Sequence, residues 1–327
     1  MRKRLLFLLC SLSVIAFVGS VAADNAKLTL SLNPPTIRVG ESSVATVSIA
    51  SKDRVRPRPI SFTLSSLGIA TISPTDCMLG KDFNGCSVTV YGKAIGSTEI
   101  VAHATGYLDT PSQQLHVTSP VIYSFKSWED GAYPVGSLIQ GKDGYLYGTT
   151  ELGGTSNIGT VFKISTAGDW YRSISFMGQP DGAFPYASLI QGKDGYLYGT
   201  TGRGGTYNYG NGTVFKISTA GEKYILYSFT GQLDGAFPYA SLIQGTDGHL
   251  YGTTRYSGRY DGGTVFKIST DGAISPCYSF AIGEIGHMGF SAAGLIQGKD
   301  GYLYGITSEG GLYDSGAIIK LPTSLCH

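Results

Sequence analysis

The chain has 327 residues, with 24 Lys and Arg against 23 Asp and Glu and a formal net charge of +1. So even a balance, with no basic stripe, argues against nucleic acid or an anionic membrane surface as a partner. Its 47 glycines and 22 tyrosines, with few charges, suit an all-β protein rich in tight turns.

At the N-terminus, Arg2, Lys3 and Arg4 precede an apolar run from Leu5 to about Val18, and Val21-Ala22-Ala23 offers a small-x-small cut before Asp24. This predicts a signal peptide over 1–23, because the run is short for a membrane span of roughly 20 residues. Cleavage takes Lys and Arg from 24 to 21 against 23 acids, so the net charge becomes −2. No later stretch reads as a membrane span. The mature chain is therefore expected to be soluble and outside the cytoplasm, as a secreted, periplasmic or cell-surface protein. It keeps Cys77, Cys86, Cys277 and Cys326, an even set that reads as disulfides in an exported protein. Cys77 and Cys86 flank "MLGKDFNG" and predict a bridged hairpin. Cys277 and Cys326 then pair by elimination and tie down the end of the chain. No Cys-x-x-Cys or His-rich spacing points to zinc or redox chemistry, and no cofactor is expected.

Residues 24–118 alternate in short runs, "KLTLSL", "SVATVSIA", "ISFTLSS", "IATISP", "CSVTVYG", "TEIVAHA" and "QQLHVTS", separated by turn residues. Short strands at this density predict a β-sandwich. The stretch "GIATISPTDC…CSVTVYGKAIGSTEIVAHATGY" resembles bacterial immunoglobulin-like domains, a resemblance that implies a spacer or adhesive module.

Residues 119–327 repeat. The Leu of "LIQG" recurs at 138, 189, 242 and 295, spacings of 51, 53 and 53. The period is built from "SLIQG", an Asp-Gly turn such as Asp194-Gly195, "YLYGTT", a Gly- and Tyr-rich loop, "GTVFKIS" at Gly159, Gly212 and Gly263 and loosely at Gly316, and "LYSF", as at Tyr227-Ser228-Phe229 and Tyr278-Ser279-Phe280. An Asp-Gly pair between alternating strands is a strong hairpin signal, and four antiparallel strands per period make a propeller blade. The leading reading is an all-β chain, an immunoglobulin-like sandwich followed by a small β-propeller of four blades. "VIYSF" at 121–125 is a fourth strand without its own first three, and the last repeat has no convincing fourth. The fragment is therefore expected to complete the last blade, with a ring completed by a second chain as the alternative.

The repeats resemble the GloVer (Gloeo/Verruco) repeat of exported bacterial proteins, through Leu138–Thr150, Leu189–Thr201, Leu242–Thr254 and Leu295–Thr307 and three copies of "GTVFKI", over about 60% of the chain. The fourth copy departs with "GAIIKL" and Ile306. The resemblance implies a β-propeller and brings no established activity, so no functional residue carries over from it.

Asp143, Asp194, Asp247 and Asp300 sit in the Asp-Gly turns and read as turn residues. Asp130, Asp181 and Asp234 recur in "DGA[YF]P", with His287 in the fourth copy, and are expected to bond within their own turns rather than hold a cation. Phe184-Pro185 and Phe237-Pro238 read as packing between blades. Sites need positions where the repeats differ. The loops after the second strands, and those leading into the first strands, are expected to share one face. They carry Arg203, Tyr207, Tyr209, Arg255, Tyr256, Arg259, Tyr260, Tyr313, Tyr186 and Tyr239 as candidate ligand-binding residues, with Glu151 among them. Tyr and Arg favour binding because a rigid ring buries area at small entropic cost and a guanidinium donates in a planar fork. No catalytic constellation is present. The leading expectation is a non-enzymatic binding protein for a glycan or a protein. The alternatives are an extracellular carbohydrate-active enzyme, in which Glu151, Asp261, Glu284 and Glu309 are the unrepeated acids, and a structural envelope component.

Overall fold

A computed structural model describes residues 28–49, 58–79, 85–105, 107, 109–207, 210–281 and 294–326. The expected signal peptide, Tyr209, Glu284 and His287 lie outside the described residues. The described chain is all-β: its strands form six sheets, and its one helical element is a 3-10 turn at Thr323–Leu325. No helix among these residues is long and apolar enough to cross a membrane. The described residues up to Val121 make one compact unit and those from Ile122 onward a second.

In the first unit, β1 (Leu28–Asn33), β3 (Ser42–Ile49), β7 (Gly85–Gly92) and β5 (Ala70–Ser73) form one sheet in the order β1-β3-β7-β5. The second sheet runs β2 (Thr36–Arg38), β9 (Gln113–Thr118), β8 (Gly96–Ala104), β4 (Arg58–Leu64) and β6 (Asp76–Leu79). Strand side chains alternate between faces, so in β3 Ala45, Val47 and Ile49 turn inward while Val44 and Ser48 stay exposed. The inward residues of both sheets, among them Val88 and Val90 on one side and Ile60, Ile100 and Leu115 on the other, share a single core. Cys77 and Cys86 are bonded, but not across a hairpin. β6 pairs with β4 while β7 pairs with β3 and β5, so the bridge joins the two sheets. Spacing alone indicates the bond and not which sheet each cysteine joins.

The second unit holds four antiparallel sheets, each in sequence order. The first is β10 (Ala132–Gln140), β11 (Leu146–Leu152), β12 (Thr160–Ile164) and β13 (Trp170–Ser175). The second is β14 (Ile190–Gln191), β15 (Leu197–Thr201), β16 (Thr213–Ile217) and β17 (Lys223–Ser228). The third is β18 (Ile243–Gln244), β19 (Leu250–Thr254), β20 (Asp261–Ile268) and β21 (Ile274–Ala281), and the fourth is β22 (Ile296–Gln297), β23 (Tyr302–Thr307) and β24 (Ala317–Pro322). Successive sheets bury apolar faces against one another. Tyr147, Val161 and Phe176 of the first meet Leu189, Leu197 and Phe215 of the second. Tyr198, Val214 and Phe229 meet Leu242, Leu250 and Phe266 in the same way. Each buried side chain of this size contributes about 1.5–3 kcal/mol, which no sheet could realise alone.

Polar groups set the register of these junctions. The Lys142 amide donates to Gln191 Oε1 at 2.8 Å, Lys193 to Gln244 Oε1 at 3.0 Å and Thr246 to Gln297 Oε1 at 2.9 Å. The hydroxyls of Thr149 and Thr200 donate to the carbonyls of Ala187 and Ala240. Pro185 and Pro238 press on Gly159 and Gly212 of the preceding sheet, where a Cβ would collide with the proline rings. The two Phe-Pro pairs are thus packing between sheets.

The fragment at 121–125 does not complete the last sheet. Residues 121–126 are not in a strand, and the fourth sheet has three strands. Phe125 instead packs on the first sheet, its ring 5.0 Å from Phe162, as Phe176 stands 5.1 Å from Phe215 and Phe229 5.2 Å from Phe266. It takes the place of a preceding repeat's last strand. Cys326 bonds to Cys277 of β21 and is buried in the core between the third and fourth sheets, so the second disulfide ties down the end of the chain as expected.

The turn aspartates do more than turn. The hydroxyls of Tyr147, Tyr198, Tyr251 and Tyr304 donate to Asp143, Asp194, Asp247 and Asp300 at 2.5–2.8 Å. Lys163, Lys267 and Lys320 pair with three of these carboxylates. Burial opposes ionisation of Asp143 and Asp247, but hydrogen bonds from the Lys, the Tyr and a backbone amide outweigh it and hold both carboxyls below the ordinary 3.8. Burial first, then Asp143, pushes the Tyr147 phenol up to about 12.

Two predictions follow from these bonds. Closing a loop of nine residues stabilises by about 2–3 kcal/mol, so Cys77→Ser/Cys86→Ser should lower the first unit's urea midpoint. Both tryptophans, Trp128 and Trp170, lie in the second unit. Far-UV dichroism should therefore shift to lower urea while tryptophan fluorescence does not; coincident, unshifted curves would show the bridge to be dispensable. The lowered carboxyls contribute stability above the ordinary 3.8 that is lost as pH falls through their folded values. The thermal midpoint should therefore drop on acidification below about pH 4, and less steeply in Asp143→Asn/Asp247→Asn; parallel acid limbs would rule these carboxylates out.

Candidate binding face

In the second and third sheets the loop after the second strand and the loop leading into the first are bonded to each other. Ala183 and Arg203 exchange backbone hydrogen bonds at 2.8 and 3.0 Å, and Gly202 donates to Phe184 O at 2.9 Å. In the third sheet Ala236 donates to Tyr256 O, and Arg255 donates to Ala236 O. The two loops therefore share one face. Phe184 and Phe237 also donate from their amides to Ile158 O and Asn211 O of the preceding sheet, both at 2.8 Å. These bonds hold both residues at φ of +54° and +59°, a region bulky residues enter only where the surroundings over-determine it.

On this frame the side chains of the second and third sheets converge. Tyr186 and Tyr239 meet edge to face with ring centres 5.0 Å apart. The Tyr186 hydroxyl donates to Glu151 Oε1 of the first sheet at 3.2 Å. The Arg255 guanidinium lies 5.3 Å from the Tyr256 ring centre and 5.9 Å from that of Tyr239. Arg203 lies 5.5 Å from Phe237, which itself meets Tyr256 edge-on at 5.9 Å. Cations over aromatic faces at this range are attracted by about 0.5–1 kcal/mol at exposed sites. Burial first, then the charge of Glu151, raises the Tyr186 phenol above its ordinary value.

Of the candidate residues, Tyr186, Arg203, Tyr239, Arg255 and Tyr256 come together, with Glu151 and Phe237 among them. The other described candidates, Tyr207, Arg259, Tyr260 and Tyr313, are not part of this cluster. Arg259 and Tyr260 pair with each other at 5.5 Å and line a groove along Pro276–Ser279. Tyr207 is exposed, and Tyr313 is exposed on the fourth sheet. The sequence reading omits Gly202, where a Cβ would strike the rings of both Tyr186 and Tyr239. The gap is visible in the alignment of repeats, since Glu151, Arg255 and Ser308 occupy the same position in the other copies.

The "DGA[YF]P" carboxylates are engaged, Asp130 and Asp234 by their own turns and the preceding tyrosine, Asp181 also by Lys223 of the next sheet. Asp130 accepts from Tyr123 and the Lys126 amide, Asp234 from Tyr227 and the Thr230 amide, and Asp181 from the Met177 amide and Lys223. Among the described residues no group of three or more His, Cys, Asp or Glu is placed to hold a metal ion.

The profile of the Gloeobacter/Verrucomicrobia repeat matches residues 94–323, in line with the resemblance carried by the repeated motifs. No curated protein matches the chain. Similar solved structures include the D00-D0 domain of intimin, 16% identical over 30% of this chain and 50% of that one, with a TM-score of 0.24. Domains 4 and 5 of the S-layer protein SbsC are 20% identical over 29% and 54%, with a TM-score of 0.23. A C-terminal intimin fragment in complex with the intimin-binding domain of its translocated receptor is 12% identical over 68% and 66%, with a TM-score of 0.26. The chain spans about half the length of the first two, and likenesses this slight carry no argument about function.

The charge of Glu151 is one cause of the raised Tyr186 phenol. In Glu151→Gln the phenol should titrate at lower pH than in the wild type, while burial keeps it above an exposed tyrosine. Ultraviolet difference titration, with Tyr186→Phe identifying the signal, checks this; an unmoved titration would separate the two side chains.

Proposed function

The chain belongs to the Gloeobacter/Verrucomicrobia repeat family, and on that premise we propose that it is an exported, non-enzymatic binding protein. An immunoglobulin-like β-sandwich over 24–118 carries repeat sheets that are the blades of a β-propeller over 119–327, and its Tyr/Arg loop face holds a glycan or protein ligand. The observation that carries this reading is the Tyr186–Tyr239 pair bridging two sheets, with Arg255 and Glu151 beside it. It is built at loop positions where the four copies differ, whereas the repeated acids are bonded by tyrosines, turn amides and lysines of the scaffold. Clustered Tyr and Arg are the side chains that dominate binding energy at interfaces. Export is supported by the leader-like N-terminus and by two disulfides, which persist in oxidising compartments. The propeller is supported by consecutive four-stranded meanders that pack side by side through equivalent residues.

The test is a paired glycan and protein array probed with the wild type, Tyr239→Ala, Arg255→Ala and a control, Tyr171→Ala, whose exposed ring meets Tyr145 beside the Asp143-Gly144 turn. A hot-spot truncation costs about 2 kcal/mol or more, roughly a thirty-fold loss of affinity, so both site variants should lose the bound feature and the control keep it. The array that responds fixes the ligand class. Capture unaffected by either variant would remove this face from the function, and no capture by the wild type would favour a structural role in the envelope.

A further inference from the structure

The two ends of the repeat array are unfinished in complementary ways. Leu189, Leu242 and Leu295 are 1%, 1% and 2% exposed, each covered by the sheet before it, whereas Leu138 of the first sheet is 54% exposed. At the other end, Val161, Val214 and Val265 are 2%, 0% and 0% exposed, and their counterpart on the fourth sheet, Ile318, is 80% exposed. Ile296 and Ile306 beside it are exposed too. Ile306 stands where Thr149 and Thr200 send hydroxyls across a junction. Repeat arrays that end in water carry polar caps; here the last face is more apolar than the buried ones.

The first sheet is already arranged as an acceptor. Gln140 Nε2 donates to Gly144 O, the pose that Gln191, Gln244 and Gln297 hold while their Oε1 atoms take the turn amide of the preceding sheet. The corresponding amide is that of Lys299. Beside Leu138 lies an apolar hollow lined by Val135, Phe162, Ile164 and the fragment residues Tyr123 and Phe125. That fragment has the sequence of a fourth strand but lies in no sheet, and the fourth sheet has three strands.

We infer that these ends join between copies: the fourth sheet of one chain docks on the first sheet of a second copy, whose residues 121–125 complete the three-stranded sheet along β24. The occupant is a second copy because the contact continues, residue for residue, the junctions already present between the first, second, third and fourth sheets. Such a contact is heterologous, with two different faces meeting, and it rests on the junctions rather than on any ligand, so a failed array leaves it standing.

Leu138→Asp and Ile318→Asp each change an exposed residue and leave the other face intact. In sedimentation across the micromolar range the wild type should have at least twice the chain mass, and each variant alone should be a monomer. An equimolar mixture of the two should return to twice the chain mass and stop there, because only one sound junction can form. A monomeric wild type at every concentration, which closure within one chain would give, overturns the inference. So does a variant that still associates alone, or a mixture that stays monomeric.

Discussion

A turn amide reaching into the next sheet, to Gln191, Gln244 or Gln297, is the contact on which the second unit turns. One such bond contributes only about 1 kcal/mol, but it fixes where each sheet lies against the one before it. Behind it the same side chains then meet: a Tyr and a Val going out, a Leu and a Phe coming in. Space is so tight that glycine is required at Gly199, where a Cβ would lie 2.5 Å from Phe215 and 2.9 Å from Leu189. Repetition in the sequence is the consequence. A sheet that must both give and receive this contact has little freedom in either face.

That constraint also decides where chemistry can collect. Where two sheets meet, Leu, Gln, Thr, Val and Phe are committed to the junction, and the Asp, Tyr and Lys of three copies are bonded to one another. Sheet 1 shows how firmly the pattern is kept: where Ile174 replaces the tyrosine that bonds Asp130 and Asp234 in other copies, Lys223 of the next sheet reaches across to Asp181 instead. What remains variable is the position after the second strand and the residues around it. Glu151, Gly202 and Arg255 are three different answers at one such position. The glycine makes room for Tyr186 and Tyr239, and the charged residues flank them.

Much of this architecture was legible in the sequence, because a period of about fifty residues with an Asp-Gly turn is a local signal repeated often. In the repeats the strands from each "LIQG" onward and their order within each sheet could be read from spacing, as could both disulfides, whereas β2 and β6 of the first unit answer to none of its alternating runs. Three things could not. Cys77 and Cys86 look like a hairpin because nine residues can make one, yet whether β6 joins β7 or β4 depends on partners far away in the chain. Tyr207, Arg259, Tyr260 and Tyr313 have the composition of a site, but composition is blind to which loops are anchored by a neighbouring sheet. The destination of 121–125 was misjudged for a related reason. Its pattern identifies it as a fourth strand, and pattern cannot say which of a strand's two neighbours it keeps when only one is present.

It keeps the neighbour that buries aromatic area. Phe125 lies on Phe162, and Tyr123 stacks on Trp170 with ring centres 4.7 Å apart, while strand pairing with β24 is left unmade. Burial of rings contributes more than a short ladder of exposed backbone bonds, each worth little net in water. At the far end β24 has no fourth strand beside it among the described residues. After β24 the chain turns through Thr323–Leu325 and is bonded at Cys326 to Cys277 in the preceding sheet, away from the free edge. An unpaired edge is a template for another strand, and β24 keeps that edge beside an apolar face because the disulfide has taken the chain elsewhere. The first sheet registers the same lack from its own side: without a preceding sheet to engage its backbone, β10 pairs over Ala132–Gln140 with its own neighbour, where β14, β18 and β22 are two residues long.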